Sequence, residues 1–198
     1  MTLEQKRSYI RDSIPTTWNG HMRFAEWLVH RKQPRVIVEL GVDYGFSTYS
    51  FALANIGDIY AIDWFIGDVH TGYRDTRKDV KKNLRELELN NVHLMALSFE
   101  DALKQWTLPI DILHIDGLHT YDAVKNDYTQ WSSFLSNGGV ILMHDTCIEW
   151  FGVKDFFNEV PVTKLNFAHS CGLGVITTDV ELLNEIRVTF AESLDSRY

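Results

Sequence analysis

Two short segments carry side chains that together could move a proton or hold a divalent ion. The first is His114-Ile115-Asp116-Gly117-Leu118-His119-Thr120-Tyr121, and the second is His144-Asp145-Thr146. Asp116, His119, His144 and Asp145 supply two carboxylates and two imidazoles, a set suited to a hard or borderline cation or to general acid–base work. Asp116 and His119 are close enough in sequence for one turn to aim both into a common pocket. His114 falls inside the apolar run Ile110 to Ile115 and reads as a hydrogen-bonded core histidine. A single histidine is more often structural, but four polar groups at two neighbouring strand ends favour a site, because buried charge is otherwise costly.

A third segment, Glu39-Leu40-Gly41-Val42-Asp43-Tyr44-Gly45-Phe46-Ser47, follows a strand-like run. It matches neither the GxGxxG dinucleotide turn nor the GxxxxGK[ST] phosphate loop, and Glu39 and Asp43 would repel a pyrophosphate. A ligand whose nearest part is cationic, such as the amino group and sulfonium of S-adenosylmethionine, suits such a turn better. The same glycines serve equally well as a tight structural turn. Asp63 ends the next strand-like run, where a carboxylate can accept ribose hydroxyls. Trp64 and Phe99 could flank an adenine ring, with Ser98 near its edge. The alternative is that Asp63 caps its strand and the two aromatics belong to the core.

These segments need a scaffold that brings strand ends together. From about residue 35, short apolar runs alternate with amphipathic stretches of helix length, which predicts an α/β fold with a mostly parallel, doubly wound sheet. Strands are expected at 35–40, 57–63, 92–97, 110–115, 140–143, 162–167 and 172–177. The last two are too close in sequence for a helical crossover and predict an antiparallel hairpin at the sheet's edge. Helices are expected at 47–55, 76–89, 100–106, from Thr120 to Leu135, and at 150–158. Ligands of open α/β sheets sit outside the carboxyl ends of the strands, where all the segments above fall. Residues 1–32 read as a helical cap, 35–178 as the core and 179–198 as a C-terminal tail of one domain.

The chain has 198 residues, 45% of them hydrophobic, ample for one core, and its 19 basic against 27 acidic side chains leave a net charge of −8. That balance argues against sequence-independent nucleic-acid binding, which needs a basic face. No apolar run is long enough to span a bilayer, so a cytoplasmic protein without membrane contact is expected. Cys147 and Cys171 make neither a disulfide framework nor a zinc knuckle.

Taken together, Glu39, Gly41, Gly45 and Ser47 in the pattern ExGxxxGxS, Asp63 at the end of the second strand, IDGLHTYDAVKNDYTQW and GGVILMHDT resemble a class I S-adenosylmethionine-dependent methyltransferase. The resemblance spans about residues 35–178. Within that superfamily it is to the small group related to macrolide-sugar and other cation-dependent O-methyltransferases. It implies a seven-stranded Rossmann-like sheet. It also implies S-adenosylmethionine held by Glu39, Gly41, Gly45, Ser47, Asp63, Trp64, Ser98, Phe99 and Asp116. By position Asp116 resembles the first metal carboxylate, His119 stands where the family has a lysine base, and Asp145-Thr146 stands where it has Asp-Asn. A divalent cation such as Mg2+ is then expected on Asp116, Asp145 and His144, with Thr146 a poorer ligand than Asn. His119, Asp116 and His144 are the expected catalytic residues. The loop from Trp64 to Asp75 would bring Asp68 and His70 to the substrate, with Trp18 on the opposite wall. A small, sugar-like hydroxyl acceptor is expected, and a homodimer is the assembly entertained. Two rivals remain at this level: a metal-dependent hydrolase or oxygenase using the His/Asp cluster, and a cofactor-binding module without catalysis.

Overall fold

The computed structural model describes residues 1–198. Helices α1 (Leu3–Ser13) and α2 (Met22–Lys32) precede β1 (Val36–Leu40), α3 (Phe46–Ala52) and β2 (Asp58–Ile62). A two-residue hairpin, β3 (Gly67–Asp68) with β4 (Gly72–Tyr73), interrupts the loop before α4 (Arg77–Glu86). Then come β5 (Val92–Met95), α5 (Phe99–Leu103), β6 (Ile110–Ile115), α6 (Tyr121–Trp131) and β7 (Leu135–His144). The chain closes with α7 (Gly152–Glu159), β8 (Lys164–Phe167), β9 (Leu173–Thr177) and α8 (Val180–Thr189).

The sheet has seven strands in the order β5-β2-β1-β6-β7-β9-β8. All pairings from β5 to β7 are parallel, and β9 runs antiparallel to both β7 and β8. The order reverses between β1 and β6, so a crevice opens at their carboxyl ends. Successive strand residues face opposite sides. Ile37 packs in the larger core with Ile10, Phe24, Leu28 and Leu182, whereas Val38 and Leu40 pack with Val124, Trp131 and Phe156. His114 is buried, as its place inside an apolar run predicts, and so is Trp131 on α6. No helix is long and apolar enough to cross a membrane.

Two expectations are corrected. The segment 179–198 is no tail: Asp179 caps α8 by accepting from the Leu182 amide, and Leu182, Leu183 and Ile186 bury one face against the sheet. Strand β7 starts at Leu135 rather than 140, because the chain leaves α6 at Trp131 and passes through a register shift against β6, with Gly138 at φ +68°.

Candidate active site

The turn after β1 is fixed by a close approach of two strand ends. Gly41 has φ +94°, and a Cβ there would lie 2.0 Å from the carbonyl oxygen of Asp116, so only glycine fits. Gly45, at φ +86°, starts α3 beneath the Tyr49 ring. Glu39 does not reach the ligand space, contrary to expectation. It is fully buried, accepts from the hydroxyls of Ser47 and Thr48 on α3, and accepts from Nδ1 of His114, its register partner on β6. Its charge therefore ties α3 to the sheet. Asp43 is paired at 2.7 Å with Arg74, whose guanidinium also lies over Tyr44. The Asp43 carboxylate expected to face a ligand is thus paired with Arg74 within the protein.

Asp63 caps the same turn from β2. One oxygen accepts from the amides of Val42 and Asp43 at 2.8 and 3.1 Å, the other from Phe65 at 2.6 Å. A carboxylate offers about four acceptor positions. Three are filled, so Asp63 retains capacity for a single ligand hydroxyl where two were expected.

At the ends of β6 and β7 the structure brings the four predicted groups together. His119 Nε2 lies 2.8 Å from Asp145 and 3.8 Å from Asp116, while His144 Nδ1 lies 3.3 Å from Asp116 and 3.4 Å from Asp145. His144 Nε2 donates to the Ser170 carbonyl at 2.9 Å. A neutral His144 therefore points a lone pair at two carboxylates, which demands a cation between them, either a proton or a metal. As a proton site, the ring is raised well above its ordinary pKa: burial opposes the charge, and Asp116 and Asp145 overcome it. As a metal site, one donor atom from each of Asp116, His144 and Asp145 falls within 4.8 Å of the others, and the two separations from Nδ1 match adjacent ligands at roughly 2.0–2.2 Å from one ion. Thr146 is turned away, donating to Asn166 Oδ1 at 2.6 Å, so His144 replaces it in the donor set.

His119 is also charged in this arrangement. Burial lowers its pKa, but Asp116 and Asp145 outweigh burial and lift it to about 9. A group raised from 6.5 adds stability that is complete below pH 6.5 and disappears as pH rises through 9. The metal-free chain should therefore lose on the order of 3 kcal/mol across that window. Urea midpoints at pH 6.5 and 9.5 should record the loss, and His119→Gln should reduce it; an equal loss in the variant would exclude His119 as its source.

The cluster and the glycine turn share one cavity of about 620 Å³, within the range of roughly 300–1,000 Å³ typical of small-molecule sites. Of the residues singled out in the sequence, Gly41, Ser47, Asp63, Trp64, Asp68, Ser98, Phe99, Asp116, His119, His144, Asp145 and Trp18 line it; Glu39, Gly45 and His70 do not. Trp18 is almost fully buried, its edge against Phe51 and His114, and forms a wall rather than a free contact. Ser98 caps α5, accepting from the Asp101 amide and donating to the Asp101 carboxylate. Asp68 closes the tip of the β3–β4 hairpin. Burial pushes its pKa up, but the Thr71 and His70 amides hold it below the usual value. His70 is exposed and stacks on His119 at 5.4 Å, beside Phe151, which lies flat on His119 at 4.4 Å. Phe151, Arg74 and Asp127 escape a reading by motif: the first two are recognisable only once the loops fold, and Asp127 reads as the polar face of α6.

The N-terminal cap reaches the cluster through the turn between β8 and β9. The Ser170 carbonyl accepts from both His144 and His21, and the Ser170 hydroxyl accepts from the Gly20 amide.

A family model described as a methyltransferase domain matches residues 38–146. The chain belongs to the methyltransferase-domain family. The class I S-adenosylmethionine-dependent methyltransferase that its motifs resemble is thereby its family and fold. An uncharacterised protein, y4gI, of Sinorhizobium fredii is 35% identical over 174 residues, covering 81% of this chain and 19% of that protein. An uncharacterised mimivirus protein, R132, is 29% identical over 153 residues, covering 71% of this methyltransferase and 66% of its own length. Two solved structures share the fold. The O-methyltransferase TomG of Streptomyces achromogenes, in complex with S-adenosylmethionine, has a TM-score of 0.64 at 17% identity, covering 89% of each chain. The Bacillus cereus O-methyltransferase bound to S-adenosylhomocysteine has a TM-score of 0.65 at 17% identity, covering 89% of this chain and 90% of that one.

Proposed function

We propose that this methyltransferase transfers the methyl group of S-adenosylmethionine to a hydroxyl of a small polar, sugar-like molecule. The observation that carries the reading is the single cavity joining the β1 turn, Asp63 and Phe99 to the Asp116/His119/His144/Asp145 cluster. A hydrolase or oxygenase using the cluster alone leaves that turn without a role. The reading places the ribose against Asp63, the adenine beside Phe99 and Trp64, and the sulfonium toward the cluster.

In the displacement the acceptor oxygen bonds to the methyl carbon as the carbon–sulfur bond breaks, leaving a neutral thioether and a hydroxyl proton to be removed. The protein's part is alignment of oxygen, methyl and sulfur in one enclosed space, plus that proton transfer. Asp116, Asp145 and His144 would hold a divalent cation, which when bound would lower the hydroxyl pKa and offset the carboxylate charge that keeps His119 protonated. His119 then takes the proton, held in place by the flat face of Phe151.

The test is His119→Ala, assayed by S-adenosylhomocysteine release with a panel of sugar and polyol acceptors. Turnover should fall by roughly 10²- to 10⁴-fold, while S-adenosylmethionine affinity, read by calorimetry, stays within a few-fold. Unchanged turnover would remove His119 from the mechanism, and release with no hydroxyl acceptor in the panel would overturn the proposed substrate class.

A further inference from the structure

Asp127 is a carboxyl group that the mechanism above does not use. It sits on α6, is 7% exposed, and lines the cavity. No cation is near it. Burial pushes its pKa up to about 7, the charge of Glu100 adds to the rise, and only the Asn126 side chain opposes it. A buried carboxyl without a cationic partner costs folding free energy, so its presence at a cavity wall calls for a ligand that donates to it.

The surroundings say which part of a ligand. A Cβ on Gly117 would meet the Phe99 ring at 2.6 Å and Asp127 Oδ2 at 3.3 Å. The bare Gly117 backbone therefore lets the ring and the carboxyl approach one another. Ser98, next to Phe99, has its hydroxyl engaged in both directions with Asp101. Glu100, the other carboxylate lining the cavity here, is exposed to solvent, whereas Asp127 is buried and meets Gly117 together with the Phe99 ring, so Asp127 is the carboxylate best placed to accept from a planar heterocycle lying beside Phe99. Resting on the cofactor reading above, which puts adenine there, we infer that Asp127 accepts a hydrogen bond from the exocyclic amino group of the cofactor's adenine and sets selectivity for that base. A 6-oxo purine presents a carbonyl at the same position and would face the carboxylate oxygen with no proton between them.

The experiment compares S-adenosylhomocysteine with S-inosylhomocysteine by calorimetry on the full chain and on Asp127→Asn. The wild type should prefer the adenosyl compound by about 100-fold or more. In Asp127→Asn the adenosyl compound should bind about 10- to 100-fold more weakly. The preference should collapse to a few-fold, because the amide can donate to a 6-oxo group. The thermal midpoint of the ligand-free variant should hold or rise, since the buried carboxyl removed has no cationic partner within the protein. A wild-type preference that survives in Asp127→Asn overturns the role of Asp127 and leaves the cofactor reading standing. Binding of neither compound by the wild type overturns the cofactor reading and this inference with it.

Discussion

Asp116→Asn should cut methyl transfer by roughly 10³-fold while leaving the chain folded. Asparagine keeps the shape of the side chain and removes the charge that faces both imidazoles, His144 at 3.3 Å and His119 at 3.8 Å. In the wild type, burial raises the Asp116 pKa, but the two rings overcome it and hold the carboxyl ionised far below its ordinary range. Without it, two imidazoles share the single carboxylate of Asp145, one of them gives up its proton, and the set proposed to hold a cation, Asp116, His144 and Asp145, loses a ligand. The backbone role of Asp116 is untouched, because its amide donates to Leu40 and its carbonyl meets Gly41 whatever the side chain. Release of S-adenosylhomocysteine at saturating cofactor is the measurement, with circular dichroism confirming the fold. Turnover within tenfold of wild type would show that the cluster is structural.

Glu39→Ala should have the largest effect on stability, about 3–5 kcal/mol, from leaving three buried donors unsatisfied. Three donors, Ser47, Thr48 and His114, converge on this fully buried carboxylate and would be left with no acceptor. For a chain of this size the loss corresponds to a fall in thermal midpoint of about 6–20 °C. Glu39→Gln, which keeps an acceptor, should lose much less. A fall of under about 2 °C in the alanine variant would contradict the assignment of Glu39 as the anchor of α3.

The strand ends were the legible part of this protein. A buried parallel strand is a continuous apolar run, so its last residue is marked where polarity begins, and the fold then forces those ends onto one rim. That is why Asp116, His119, His144 and Asp145 were recognisable as a group before any coordinates. Side chains whose partner lies on another element were not. Glu39 carries the same motif position whether it faces a ligand or Ser47 and Thr48, and only the packing of α3 decides. Asp127 follows Asn126 on a helix with a solvated face, and nothing local reveals that Gly117 and Phe99 enclose it. Arg74 pairs with Asp43 across a loop whose hairpin has two residues per strand, below the length at which alternation is visible. Helix α8 does carry a local signal, since Asp179 followed by Leu182, Leu183 and Ile186 is a cap and an apolar stripe.

The link from Gly20 and His21 through Ser170 to His144 has a bearing on how such a domain diversifies. Residues 38–146 hold the glycine turn, Asp63 and all four members of the charged cluster, whereas the segments that brace His144 and wall the cavity at Trp18 come from outside that stretch. The domain is thus modular in an asymmetric way. Exchanging its flanks between relatives would retune the Trp18 wall of the cavity and the poise of His144 together, while the inherited centre keeps its turns and its charged cluster.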